Sequence, residues 1–293
     1  MHSQVIQAKS VDDAFLSCAS IILNTGREIS PRNQDTIEIP PCIVEILDPT
    51  DCIISFKERK HPYSFMVMEL IWILSGDENP WIIDWLPKLR EYTDIIDGKE
   101  ILAGAYGPRI RKKFGTDQLS YVIFKLLSDS ASRQALITIS NPQIDVNGYH
   151  DLPCTESLQF MIRDNKLDLT VVMRANDLVL GSCVDWFNFC TIQCIMASIL
   201  KLPLGIYRHF ANSLHIYKRD LEKVERILSN PEKISVPFRR PIDVDYFSLE
   251  EVYNDATWGR KLLEISEVPN SKRYLFELMK YAHSKSRKVD AIH

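Results

Sequence analysis

The sequence predicts an α+β fold, with helices packed against one large mixed sheet. Two patterns carry this expectation. Long apolar segments with helical spacing, such as SFMVMELIWILSGDENP (64–80) and VDWFNFCTIQCIMASILKL (184–202), share the chain with alternating, Ile- and Val-rich segments. Glycine is also scarce, at 10 residues, and no repeat, low-complexity tract or Gly/Ser linker divides the chain. Residues 1–293 therefore read as a single domain.

Taken in order, SVDDAFLSCASIILNTG (10–26) opens on a serine and two aspartates and closes on Gly26, the pattern of a capped helix. REISPRNQDTIEIPPCIVEILDPTDCIISF (27–56) alternates between proline breaks and reads as strands and turns. Residues 64–80 read as a buried helix ending at Gly76, with one embedded acid, Glu69. LSYVIFKLLSDS (119–130) is a further helix. RQALITIS (133–140), residues 158–177 and LGIYRHFANSLHIY (204–217) read as strands, the middle one a hairpin turning at Asp164-Asn165. The segment from Val184 reads as a long central helix.

The composition, 45% hydrophobic and 25% charged, is that of an ordinary globular chain. A net charge of −4 offers no basic footprint for a nucleic-acid polymer, although a few placed arginines suffice for a small phosphorylated ligand. Seven cysteines without a CxxC pair argue against a disulfide framework and a structural zinc. Reduced thiols, a first segment unlike a signal peptide and no membrane span point to a cytoplasmic protein. No phosphate loop, dinucleotide fingerprint or HExxH pattern is present.

Several residues are candidates for chemistry. Glu69, inside MVMELIWIL, is a proton carrier if the helix is central, because burial raises a carboxyl's pKa; at the helix edge it is an ordinary polar residue. Cys154, in DLPCTES (151–157), is a nucleophile if a nearby charge such as Arg174 lowers its pKa, or a small buried apolar group. Arg174, Asp177 and Asp185 cluster in RANDLVLGSCVD; the arginine suits a phosphate fork, and the aspartates either hold a ligand edge or cap and turn. His215 and Tyr217 alternate on one strand face, where they hold a sugar hydroxyl or pack half-buried. Arg32 and Arg133 are loop arginines, solvated or phosphate-binding.

Together these pieces resemble the thymidylate synthase family. MELIWILSGDEN, AYGPRIRK, SRQALITISNPQ with DLPCTESLQF, MRANDLVLGSCVDWFNF, NSLHIY and the tail DAIH follow that family's order from about residue 12 onward. The resemblance implies Cys154 as nucleophile, Glu69 as catalytic glutamate and Tyr106 as active-site tyrosine. It implies 5,10-methylenetetrahydrofolate as cofactor, held by Asp177, Gly181, the position of Tyr92 and the tail with Ile292. It implies a nucleotide monophosphate bound by Arg32 and Arg174, by His215 and Tyr217 at the 3′-hydroxyl, and by Arg133 of a second subunit in a sheet-to-sheet homodimer.

Four departures refine the expectation. Asp185 stands where the family has a uracil-reading asparagine. An ionised aspartate offers two acceptors, which suit the amino group and protonated N3 of cytosine. The resemblance therefore narrows to the cytidylate 5-hydroxymethylases. Tyr92 and Ile95 replace folate-packing tryptophans, which opens the site to water and favours a hydroxymethyl product. Ala175 replaces a phosphate-binding serine and Gln134 an interface arginine. The alanine resembles the CMP enzymes of nucleoside-antibiotic pathways more than the phage dCMP enzymes. The alternatives are a dCMP hydroxymethylase, a divergent thymidylate synthase, a nucleotide-binding protein without catalysis, and a thiol hydrolase using His150.

Overall fold

The structure, a computed structural model, describes residues 4–290. The chain runs β1 (Gln4–Ala8), α1 (Val11–Thr25), β2 (Arg27–Ile29), β3 (Thr36–Ile39), β4 (Cys42–Ile46), α2 (Tyr63–Ser75), β5 (Asp94–Ile96) and β6 (Lys99–Ile101). There follow α3 (Tyr106–Arg111), α4 (Gln118–Ser128), β7 (Leu136–Thr138), α5 (Pro142–Asp145), β8 (Thr155–Arg163), β9 (Lys166–Met173), β10 (Asn176–Asp177) and α6 (Gly181–Leu200). The last elements are β11 (Leu204–Ala211), β12 (Leu214–Tyr217), α7 (Leu221–Ser229), α8 (Leu249–Ala256) and α9 (Tyr274–Asp290).

Local chemistry sets the ends of these elements. Ser10 Oγ accepts the Asp13 amide at 3.2 Å, the N-cap expected for α1. The Gly26 amide closes the same helix on the Ile22 carbonyl at 2.9 Å. Helix α2 stops at Gly76, which takes φ +62°, a conformation an L side chain adopts at a penalty. Asp164 and Asn165, at φ +50° and +60°, form the hairpin turn between β8 and β9.

The main sheet is mixed, in the order β1-β4-β11-β9-β8-β7. Its buried face carries Val44, Leu158, Phe160, Leu169, Val171, Tyr207 and His209, all fully or almost fully covered. Helix α6 packs on this sheet through β9 and β11, and α2 lies against α6, α8 and α9. Helix α6 is long and apolar enough to cross a membrane, yet 83% of its apolar window is buried inside the protein. The opposite sheet face carries Ile43, Glu45, Thr170, Val172, Ile206, Arg208 and Phe210, each only partly covered.

The segment 204–217 divides between two sheets. After β11 the chain leaves the main sheet, and β12 joins a four-stranded sheet ordered β10-β12-β3-β2. This small sheet positions the site. Asp177 pairs with His215 across β10 and β12, and the turn between β2 and β3 carries Arg32.

Candidate active site

Cys154 lies directly before β8, where its carbonyl accepts the Arg174 amide at 2.9 Å at the end of the β8–β9 pair. It is half-buried, whereas Cys18, Cys42, Cys52, Cys183, Cys190 and Cys194 are buried. Arg174 does not point its whole charge at the sulfur. Its Nε and Nη2 donate to the carbonyls of Pro153 and Leu152 at 3.0 and 3.2 Å and so brace the turn that presents the thiol. Burial raises the Cys154 pKa; the Arg174 and Arg32 guanidiniums oppose the rise, and the Asp185 and Asp151 carboxyls add to it. The free protein therefore holds a thiol, and the expected lowering by Arg174 is outweighed by desolvation.

A cleft of about 260 Å³ opens beside this sulfur. Glu69, Tyr92, Tyr106, Cys154 and Asp185 line it, with Trp72, Ile73, Leu89 and Leu102 forming an apolar wall. Helix α2 brings Glu69, whose Oε2 accepts Asn188 Nδ2 at 2.7 Å. Burial, aided by the Asp185 charge, pushes its carboxyl up to about 8. Helix α6 brings Asp185, whose Oδ2 accepts Asn176 Nδ2 at 2.7 Å. The Asn176 amide is itself oriented by the Ser182 hydroxyl, which donates to Asn176 Oδ1. Burial pushes Asp185 up to about 7. Tyr106 opens α3 and stacks on Phe189 with ring centroids 6.1 Å apart. Burial raises its hydroxyl well above the ordinary value.

The small sheet supplies a second group at the edge of the cleft. The Asp177 carboxylate accepts the amides of Val179 and Leu180, each at 3.0 Å, ahead of α6. Burial nevertheless raises its pKa. His215 stands edge-on to Tyr217 at 5.2 Å, and its buried Nδ1 has no hydrogen-bond partner among the described residues. Gly181 begins α6 against Asn176 and Asp185: a Cβ there would lie 3.2 Å from Asn176 Nδ2.

The structure does not bring every candidate to this cleft. Arg133 and Gln134 are exposed at the outer edge of the main sheet before β7, and Gln134 Oε1 accepts Lys125 Nζ at 3.0 Å. Ala175 is half-buried beside Arg174. Tyr92 is 39% exposed, and Ile95 is 71% exposed and does not line the cleft. Ile292 lies outside the described residues.

Sequence reasoning missed Asn188, Asn176, Ser182 and Asp151. Asn188 was detectable as the polar residue three positions after Asp185, on the same face of α6. Asp151 was in plain view in DLPCTES, an acid placed just before the Leu-Pro-Cys turn. The Asn176–Ser182 contact had no sequence signal beyond proximity.

A mixed sheet, a thiol at a strand end, and two acids brought by apolar helices meet in one cleft. The family model for thymidylate synthase matches residues 13–252, and the chain belongs to that family. It is 32% identical over 220 residues to the deoxyuridylate hydroxymethyltransferase of Bacillus phage SP01, covering 70% of this chain and 57% of that protein. It is 29% identical to the deoxyuridylate hydroxymethyltransferase of Pseudomonas phage M6, over 75% of this chain and 64% of that protein. A putative thymidylate synthase of Methanocaldococcus jannaschii is also 29% identical, over 75% of this chain and 94% of its own length. The chain spans only 57% to 66% of the length of three phage hydroxymethyltransferases it matches. The one-carbon donor of the family is 5,10-methylenetetrahydrofolate.

Proposed function

We propose that this protein is a cytidylate 5-hydroxymethyltransferase, with CMP preferred to dCMP. The observation that carries the reading is Asp185: a carboxyl, not an amide, faces the cleft beside Cys154. Uracil presents an acceptor at O4, which an ionised carboxylate repels. Cytosine presents an amino donor there, and its protonated N3 is a second donor.

The residues then have these parts. Arg32 and Arg174 bind the phosphate, and His215 with Tyr217 holds the sugar. Asp185, with its pKa raised to about 7, gives a proton to N3, and the resulting carboxylate accepts N3–H and N4–H. Protonation at N3 draws the Cys154 sulfur onto C6 as the thiol loses its proton to solvent. Carbon C5 becomes nucleophilic. Glu69, raised to about 8, receives the C5 proton, and Asn188 fixes the carboxyl that takes it. Tyr106 bounds the base on its far side.

The apolar lining of the cleft suits the aromatic part of a cofactor. Trp72, Leu89, Leu102 and Tyr92 supply an apolar wall, and Asp177, ahead of the helix that carries Asp185, supplies a polar group beyond it. When bound, methylenetetrahydrofolate supplies the one-carbon unit at the formaldehyde oxidation level. The exposed Tyr92 leaves this wall open, so water completes the reaction and the product is hydroxymethyl. Ala175 and Gln134 both remove a usual phosphate contact, which supports the ribonucleotide. The half-covered outer face of the main sheet supports a sheet-to-sheet homodimer, in which Arg133 reaches the other subunit's phosphate.

A second reading is a deoxyuridylate hydroxymethyltransferase, as the phage relatives are named. A neutral Asp185 carries one donor and one acceptor, the same pair an asparagine offers to uracil. One experiment decides. The protein is incubated with methylenetetrahydrofolate and CMP, dCMP or dUMP, and products are weighed while dihydrofolate absorbance is followed. Hydroxymethyl-cytidylate without dihydrofolate is expected. Hydroxymethyl-dUMP as the main product establishes the second reading, and thymidylate with dihydrofolate sinks both.

A further inference from the structure

One half-buried acid of the cleft has no part in the steps above. Asp151 lines the cleft with Cys154, Glu69, Tyr92 and Leu102. Its Oδ2 accepts the Gly104 amide at 3.0 Å, and its Oδ1 accepts no hydrogen bond among the described residues. The close approach is built into the chain. A Cβ on residue 104 would lie 2.8 Å from Oδ2 and 3.0 Å from Oδ1, so only glycine leaves the carboxyl where it is. The neighbouring backbone is pinned in turn. The fully buried Arg109 donates to the Ala103 carbonyl at 2.9 and 3.2 Å and grips Asp145 at 2.5 Å.

The other two cleft acids are committed. Glu69, with Oε2 on Asn188, takes the C5 proton, and Asp185, with Oδ2 on Asn176, holds the base edge; each, like Asp151, keeps one oxygen without a hydrogen bond among the described residues. Asp151 is the acid left over, with Oδ2 anchored on Gly104 and Oδ1 without a hydrogen-bond partner among the described residues, in the same cleft as Cys154 and the exposed Tyr92. An anchored carboxyl with a free oxygen, in one cleft with the reacting sulfur, suits a general base for water.

We propose that Asp151 is the catalytic base that activates the water completing the reaction; this rests on the hydroxymethyl reading above. Before the step, the base carries an exocyclic methylene at C5 and the Cys154 thioether at C6. The water oxygen bonds to the methylene carbon, and its proton passes to Asp151 Oδ1. The methylene π pair moves into the ring, then forms the C5–C6 double bond as the C6–S bond breaks. Cys154 leaves as thiolate and Asp151 later gives its proton to solvent. No electrons are gained or lost overall. Burial raises Asp151 above the ordinary carboxylate range, which makes it a stronger base than a solvated aspartate.

The test separates methylene transfer from water capture. Tritium release from 5-tritiated CMP counts transfer, and mass spectrometry counts hydroxymethyl product, with 2-mercaptoethanol added as a competing nucleophile. In Asp151→Asn, which retains an acceptor for Gly104, tritium release is expected to stay within about tenfold of the parent. Hydroxymethyl product is expected to fall about 10²-fold or more, the usual worth of a general base, with a thioether adduct of the thiol appearing in its place. Gly104→Ala, which displaces the carboxyl sterically, should shift the same ratio in the same direction and serves if Asp151→Asn does not fold. Hydroxymethyl formation within about threefold of the parent in a folded variant overturns the proposal. Parallel loss of release and product overturns it too, since the defect then precedes water capture. A parent protein that releases tritium from no cytidylate sinks the underlying functional reading instead.

Discussion

Cys154, Asp185 and Glu69 each support a direct test at the scale of one side chain. Cys154→Ser replaces the sulfur with a far weaker nucleophile, and turnover should fall below detection, at least 10³-fold; a near-normal rate measured by product mass rules out the covalent route. Asp185→Asn restores one donor and one acceptor. The ratio of kcat/KM for dUMP over CMP should rise about tenfold or more, as a mispaired buried polar contact costs about 1–3 kcal/mol. An unmoved ratio removes Asp185 from base selection. Glu69 has its ordinary pKa of 4.5 raised to about 8 in the folded protein. The folded state therefore binds more protons than the unfolded chain across this window, so its stability contribution is full below about pH 4.5 and is lost as pH rises through 8. Glu69→Gln lacks that loss. Its melting temperature relative to the parent should climb by several degrees between pH 5 and pH 9; a flat difference in thermal scans contradicts the buried position of the carboxyl.

At the scale of elements, α2 and α6 were the most legible parts of the chain. Their apolar runs are long, and each places its acids among residues that leave no second interpretation of the helix. Glu69 was singled out for that reason, whereas Asp185 stood out in the RANDLVLGSCVD cluster and as a departure from the family's asparagine. The hairpin at Asp164-Asn165 was equally legible, because those two residues tolerate positive φ. Short strands were not. Asn176–Asp177 is two residues long and exists as β10 only because β12 lies beside it. The division of 204–217 between two sheets was hidden for the same reason, since alternation marks a strand but not its partner. Asp151 stood in plain view beside Cys154, but its orientation was not legible, because it depends on Gly104, 47 residues earlier, and on the buried Arg109 that pins the neighbouring backbone. Asn188 offers a prediction at this scale. It bridges α6 to α2, and its amide stabilises the Glu69 carboxylate. Asn188→Ala should raise the Glu69 pKa further, moving the acid limb of the kcat/KM profile to higher pH; a limb that stays put or moves down contradicts the bridge.

The whole molecule presents a sheet face with Ile43, Val172, Ile206 and Phe210 only partly covered, beside the ion pairs of Arg208 with Glu45 and Asp168 at 2.9 and 2.8 Å. Apolar residues on such a face favour association with a second copy. If Arg133 serves the other subunit, Arg133→Ala and Cys154→Ser are each inactive alone. Mixing them under subunit exchange should create hybrid dimers with one intact site each, and restore up to about a quarter of the parent activity. Absence of complementation, with exchange verified by native mass spectrometry, argues that each site is complete within one chain.

The distribution of thiols has a practical side. Six of the seven cysteines are sealed in the interior, and only Cys154 is partly open. The folded protein should therefore take up one equivalent of an alkylating reagent, slowly near neutrality because that thiol is raised, and faster as the solution is made alkaline. Occupancy of the cleft should shield it. A single reagent count then reads two things in one tube: the first equivalent reports whether a ligand is seated, and the remaining six report how much of the sample has come apart.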